Sequence, residues 1–262
     1  HGAGPSRGGG HQRHAQQGLS DWRALRRVGG RRNPQTLATK GECIMMNRSM
    51  YLSLSMLALA AGLSAAEPAV IQLPVARRSG GMPLLDALSA RRTTRSFKKD
   101  APIPDAVLGE LLWATWGYNR EDKRTAPTAV NAQELDVYVL RADGAWRYDA
   151  RKHALVQVVD KDIRSATVME KIAQPFVLDA PVTLVYVCDT TRGPRGADGK
   201  GIIGKWAGTD TGFLAQNANL YCAAAGLGTV IRGSFSPEVL ANALQLNENQ
   251  FVTLCQCVGW PQ

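Results

Sequence analysis

The chain has 262 residues, of which 45% are hydrophobic, and 31 Lys and Arg face 22 Asp and Glu for a formal net charge of +9. That excess is unevenly spread. Residues 1–45 carry seven Arg and one Lys against Asp21 and Glu42, a net +6, and Arg48 adds one, so residues 67–262 keep only +2. Basicity therefore argues for neither nucleic-acid nor membrane binding by the later part of the chain. Three of the four histidines also lie before residue 15, which leaves His153 alone downstream and excludes a His-rich metal site.

Residues 1–45 combine Gly8-Gly9-Gly10, Gly29-Gly30 and scattered Arg without apolar periodicity, a composition that cannot build a core. They read as a translated leader or, alternatively, as a basic nucleic-acid-binding arm. Residues 46–66 have the layout of a secretory signal: Arg48, an apolar stretch from Met50 to Leu63, and Ser64-Ala65-Ala66 before a cleavage point at Glu67. About 14 apolar positions fall short of the ~20 needed to span a bilayer, which argues against a membrane anchor. Used, this signal sends the protein to the periplasm or outside the cell; unused, it leaves the protein cytoplasmic.

About 190 residues remain and suit one domain. Leu84, Leu85 and Leu88 share one face of a short helix over 83–90, which runs into Arg91-Arg92-Thr93-Thr94-Arg95. A second helix is expected from Pro104-Asp105 to Gly117, with Val107, Leu108, Leu111 and Leu112 inward. A polar, turn-rich stretch follows, and then a strand over 135–140. Asp143-Gly144 signals a hairpin turn, with strands at 146–148 and 155–159. Composition predicts a helix over 163–172 and a strand covered on both faces over 182–188. Residues 190–208 read as a lid-like loop, and a long helix rich in small residues runs from about Thr209 to Ala225. A strand over 228–233, a helix over 237–244 and a closing strand over 251–258 complete an irregular interleaving that fits α+β rather than repeated βαβ units.

Several chemistries find no support. Gly226-Leu227-Gly228 closes a helix instead of opening one, so it is no dinucleotide fingerprint, and the glycines of 196–204 lack the Gly-Lys-Ser/Thr of a P-loop. His153, beside Lys152 between two strands, reads as a turn residue. Cys188, Cys222, Cys255 and Cys257 contain no C-x-x-C pair and read as small buried hydrophobes or, after export, as disulfide partners whose pairing the sequence does not assign.

Two segments carry functional chemistry. Residues 91–95 place three cations and two hydroxyls in five positions, which suits a phosphate monoester as well as it suits a solvated charge run. Residues 124–133, Arg-Thr-Ala-Pro-Thr-Ala-Val-Asn-Ala-Gln, put a hydroxyl and two amides on a turn before a strand, able to read the edge of a heteroaromatic ring or simply to cap the turn. In this order, followed by Asp179-Ala180-Pro181, by 224–230 (Ala-Ala-Gly-Leu-Gly-Thr-Val) and by Val258-Gly259-Trp260-Pro261, they resemble the flavin nitroreductase family over residues 80–262.

The resemblance implies a three-layer α+β fold, a mixed or antiparallel sheet flanked by helices, working as a homodimer with FMN at the subunit interface. It implies that Arg91, Arg92, Thr93 and Arg95 bind the phosphate and ribityl end, that Pro127, Thr128, Ala129, Asn131 and Gln133 come from the partner subunit, and that Gly233 and Ser234 face the flavin ring. Gln174 and Arg232 are candidates for its pyrimidine edge. Thr93 and Thr128 stand where serines are usual, Ala129 drops a hydroxyl, and Glu134 replaces a common proline. The implied activity passes electrons from NAD(P)H, a nicotinamide co-substrate, through FMN to a small-molecule acceptor such as a nitro compound or quinone in a ping-pong cycle. Alternatives are a flavin dehydrogenase acting on a peptide or other organic substrate without nicotinamide, and a non-enzymatic exported flavin-binding protein. Trp116, Tyr118, Trp206 and Phe213 are candidates for stacking on substrate or for core packing.

Overall fold

The computed structural model describes residues 67–169, 171–172, 174–193 and 201–262. The leader, the signal and residues 194–200 of the lid-like loop lie outside those residues. Seven strands, β1 (Val70–Gln72), β2 (Leu135–Arg141), β3 (Gly144–Asp149), β4 (Ala154–Val159), β5 (Val182–Asp189), β6 (Gly228–Arg232) and β7 (Gln250–Gly259), form one sheet in the order β1-β4-β3-β2-β5-β7-β6. Every pairing is antiparallel. Helices α1 (Leu84–Ala90), α2 (Asp105–Trp116), α3 (Phe176–Asp179), α4 (Gly201–Ala224) and α5 (Pro237–Ala243) flank it.

The pleat distributes the core. On β2, Leu135, Val137 and Val139 join the cluster under α2 and α4, while Tyr138 and Leu140 face the cluster under α5. The central strand β5 is covered on both faces, and its residues 182–188 are all buried, as its unbroken apolar run predicts. On α2, Leu108, Leu111 and Leu112 are fully buried, each stabilising by about 1.5–3 kcal/mol. The Trp116 indole then donates to the Leu135 carbonyl at 2.8 Å and pins the helix end to β2, so this aromatic is core rather than substrate-facing.

Two expectations change. Among the described residues of 163–172 the only helix is a 3₁₀ turn over Arg164–Thr167, where the Thr167 carbonyl and hydroxyl accept from Arg232 instead of continuing a helix. The long helix begins at Gly201, not near Thr209: Ile203, Ala207 and Asp210 form a buried stripe at 3.6-residue spacing that overrides the weak helix propensity of Gly204 and Gly208. The α1 leucines stay exposed, with Leu84 at 63% and Leu85 at 77%, and Ala87 alone of that helix is buried.

His153 is a turn residue, with a φ of 49°. Its ring bridges the Tyr148 hydroxyl and the Pro74 carbonyl, both at 2.9 Å, and burial lowers its pKa. Cys188, Cys222, Cys255 and Cys257 are free and buried, and burial pushes the Cys222 thiol up to about 12.

Candidate functional site

The glycine-containing motifs prove to be seams. Gly226, at φ 72°, ends α4 in a Schellman arrangement: the Leu227 amide bonds the Cys222 carbonyl at 2.8 Å, and Leu227 itself turns into the core. Gly228 then lies flat against Thr94, and a Cβ there would meet Thr94 Cγ2 at 2.7 Å and Cβ at 2.9 Å. Gly259 accommodates Pro181 Cδ in the same way at 2.6 Å, which joins the Asp-Ala-Pro and Val-Gly-Trp-Pro motifs at one point.

These seams seat the basic segment along the open edge of β6. Thr93 bridges Thr229 in parallel, and the Thr94 amide donates to the Thr229 carbonyl at 2.9 Å. Beyond it Phe97 is fully buried, the Lys98 amide bonds the Trp260 carbonyl at 2.9 Å, and the Ser96 hydroxyl donates to Gln262 Oε1 at 2.5 Å. With its backbone fixed at Thr93–Thr94, the segment holds Arg91, Arg92 and Arg95 in solvent, and among the described residues no ion pair engages them. A cavity of about 220 Å³ lies between Arg92, Thr94, Asn219, Gly228, Thr229 and Pro261. Gly228→Ala is expected to lift this segment, costing ~1–3 kcal/mol and weakening hydrogen-exchange protection of the Thr94 amide. Unchanged protection would show that the contact does not hold the segment.

At the far end of β6, Arg232 is 4% exposed. Its Nη1 donates to the Thr167 carbonyl at 2.9 Å and to Gln174 Oε1 at 2.8 Å, and its Nη2 donates to Thr167 Oγ1 at 2.9 Å. The buried Nε finds no acceptor, and no carboxylate pairs with this guanidinium among the described residues. Gly233 follows in open space, where a Cβ would meet nothing within 4 Å, and Ser234 is half-buried. Buried guanidinium charge with an unfilled donor is the environment that an anionic or acceptor-rich ring edge completes.

The amide-bearing turn lies elsewhere. Val130, Asn131 and Gln133 have φ of 51°, 55° and 51°, an unusual run for residues other than glycine that costs on the order of 1–3 kcal/mol at each. The Thr128 hydroxyl accepts from the Gln133 amide at 3.0 Å, and Asp210 Oδ2 on α4 accepts from the Ala129 amide at 2.9 Å. Gln133 turns its side chain back into its own chain, accepting from Arg124 Nε at 2.9 Å and donating to the Asp122 carbonyl at 2.8 Å. Pro127, Val130 and Asn131 are exposed, while Thr128 and Ala129 are half-buried.

Thus the structure brings Arg91, Arg92, Thr93, Arg95, Gln174, Arg232, Gly233 and Ser234 to one edge strand and leaves residues 127–133 at the start of β2, with β7 and β5 between. At ~4.8 Å between strands and ~3.3 Å per residue along them, the two sets stand on the order of 20 Å apart within one chain. Trp206 (41%) and Phe213 (44%) are exposed on α4, and Tyr118 lies with the Arg124 and Arg151 guanidiniums 4.0 and 3.7 Å from its ring centroid. Unforeseen from the sequence were Thr167 as a holder of Arg232, the Arg192–Asp136 pair (3.0 and 2.6 Å) beside the turn, and Asp210 beneath it. Only Glu134, standing where proline is common, offered a signal.

A protein-family model described as the nitroreductase family matches residues 88–260. A solved structure of a nitroreductase-type protein from Ralstonia eutropha JMP134 is 38% identical, with a TM-score of 0.67 over 75% of this chain and 94% of that one. A nitroreductase-type protein of Methanocaldococcus jannaschii is 27% identical over 172 residues, 63% of this chain and 85% of its own length. A Staphylococcus epidermidis structure described as an NAD(P)H:FMN oxidoreductase is 14% identical, with a TM-score of 0.51 over 71% of this chain and 91% of that one, and so shares the fold.

Proposed function

The chain belongs to the nitroreductase family, and from that premise we propose that it is an FMN-dependent oxidoreductase passing electrons from NAD(P)H to an organic acceptor such as a nitro compound or quinone. The observation that carries this reading is the pairing, on one edge strand, of three unengaged arginines with a buried guanidinium whose Nε lacks an acceptor. Arg91, Arg92, Arg95 and Thr93 would hold the phosphate and ribityl end, because guanidinium groups bind phosphate oxygens bidentately and the hydroxyl completes the shell. Arg232, oriented by Thr167 and Gln174, would take the pyrimidine edge, with Gly233 and Ser234 beside the ring.

Residues 127–133 lie too far from these groups to reach the same cofactor in one chain. A homodimer answers both this separation and the exposed apolar surface. Among the described residues the α1 leucines, and Trp206 and Phe213 on one flank of α4, are exposed, while Gly204, Gly208 and Gly212 on its other flank leave open space for close helix approach. Pro127, Thr128, Ala129, Asn131 and Gln133 would then come from the partner subunit.

FMN, when bound, supplies the hydride and electron transfer. The chain's own groups bind, orient and exclude water. His153 is held between Tyr148 and Pro74, and donor and acceptor would use the flavin pocket in turn, in a ping-pong cycle. We further propose that residues 46–66 direct export to the periplasm or beyond, the preceding leader taking no part; among the described residues no helix is long and apolar enough to cross a membrane.

The test is an absorbance spectrum of the purified chain with added FMN, then anaerobic NADPH. Flavin bands that bleach on NADPH are the expected result, together with a dimer in sedimentation. A colourless protein that takes up no FMN sinks the reading. Bound flavin that NADPH leaves oxidised favours a dehydrogenase independent of nicotinamide, or a carrier protein.

A further inference from the structure

Glu134 precedes β2 and is 1% exposed, yet among the described residues neither carboxyl oxygen finds a donor. Facing it within hydrogen-bonding reach is Asp210 of α4, itself 2% exposed, whose Oδ2 accepts the Ala129 amide. Two ionised carboxylates have acceptors only, so side by side and out of water they leave like charges bare. One proton resolves this: a neutral Glu134 donates to Asp210, and Asp210 keeps its bond to Ala129.

We infer that Glu134 and Asp210 share one proton and that this proton holds Val130, Asn131 and Gln133 of the turn in their left-handed conformation, making both carboxyls positioning residues for whatever the turn meets.

Among the described residues the surrounding charges are committed elsewhere. Arg192, following β5, forms a bidentate pair with Asp136 of β2 and lies 3.7 Å from Asp189, and the Cys188 thiol on β5 is pushed by burial up to about 12 and stays neutral. Burial pushes the Glu134 carboxyl up to about 7, with Asp210 adding to the rise and its own amide and Arg192 opposing it. The folded chain thus keeps a proton that the unfolded chain releases in the ordinary carboxylate range. Stability from this pair is fully present on the acid side, is lost as pH climbs to about 7, and is level above it. Above that point Asp210 faces a second charge, its hold on Ala129 loosens, and the strained residues at 130, 131 and 133 relax. If the turn meets FMN across a dimer, as proposed above, flavin affinity falls over the same interval.

The experiment follows, on the full chain, the infrared band of protonated carboxyl and the hydrogen-exchange protection of the Ala129 and Gln133 amides, corrected for intrinsic exchange, from about pH 5 to 9. In the native chain both signals should fall together with a midpoint near 7. Glu134→Gln, whose amide donates to Asp210 at every pH, should lack the band and keep the protection flat. Asp210→Asn, a second variant should the first not fold, should move the carboxyl midpoint down toward the ordinary range. Absence of any carboxyl titrating in this interval, protection that changes equally in Glu134→Gln, or a midpoint unmoved in Asp210→Asn overturns the inference. FMN titrated at about pH 6 and 8 should bind roughly tenfold more weakly at the higher pH in the native chain and equally in Glu134→Gln. Should FMN bind at neither pH, the flavin reading falls, and the first two signals still decide the pair.

Discussion

Replacing Arg91 and Arg95 together by glutamine is expected to weaken FMN binding by about a hundredfold or more while leaving the fold untouched. Each guanidinium lost from a phosphate removes charge-assisted hydrogen bonds worth roughly 1.5–3 kcal/mol, and two such losses are on the order of 3–6 kcal/mol, scarcely offset by the neutral amides. Both side chains are exposed and outside every ion pair among the described residues, so thermal stability without flavin should stay within about 0.5 kcal/mol of the native value. Fluorescence titration of FMN, set beside a melting curve of the apoprotein, separates the two effects. A double variant that binds FMN as the native chain does would remove residues 91–95 from the phosphate site and return them to a solvated charge run.

The largest loss of stability is expected at Arg232→Met. Methionine fills much of the space but strips donors from the Thr167 carbonyl and from Gln174 Oε1, both of which the guanidinium now satisfies. The buried Thr167 carbonyl left bare costs roughly 1–3 kcal/mol, and the half-buried Gln174 amide adds less. Relief of the guanidinium's own burial offsets part of that, which leaves a net loss of about 3 kcal/mol. For a domain of this size the melting temperature should drop by roughly 6–12 °C. A drop under about 2 °C would mean that Thr167 and Gln174 find other partners easily and that Arg232 is not the organising group of its end of β6.

The strands and α2 were readable because their signal is local. Alternation at Leu135, Val137 and Val139, the unbroken run of 182–188, and the spacing of Leu108, Leu111 and Leu112 each encode which side faces the core. The start of α4 was hidden because Gly204 and Gly208 suppress helix propensity in a segment whose helicity comes from tertiary burial of Ile203, Ala207 and Asp210. Exposure of Leu84, Leu85 and Leu88 was equally invisible: periodicity reports an apolar face but not whether the same chain covers it.

At the candidate site, the basic run of 91–95 could be read because its chemistry is contiguous. Arg232 with Thr167, 65 residues apart, and Ala129 with Asp210, 81 apart, are neighbours only through the order of strands and the placement of α4 over the sheet. Gln133 shows the converse. Its type and position mark it as a ligand-reading amide, yet here Arg124 and Asp122 occupy both ends of that amide, so it acts first as a brace for the turn.

The seating of Thr93 and Thr94 on β6 also bears on solubility and on how the protein can be shortened. The opposite edge, β1, is only three residues long, too short to template another chain. β6 is longer and half apolar, and residues 93–94 screen part of its open side. A truncation that removes everything before Lys98 would uncover Thr229, lengthen the open hydrogen-bonding edge of β6 and invite strand-to-strand aggregation. The basic segment is in this sense also a gatekeeper, and expression trials that trim the N-terminus should stop well short of it.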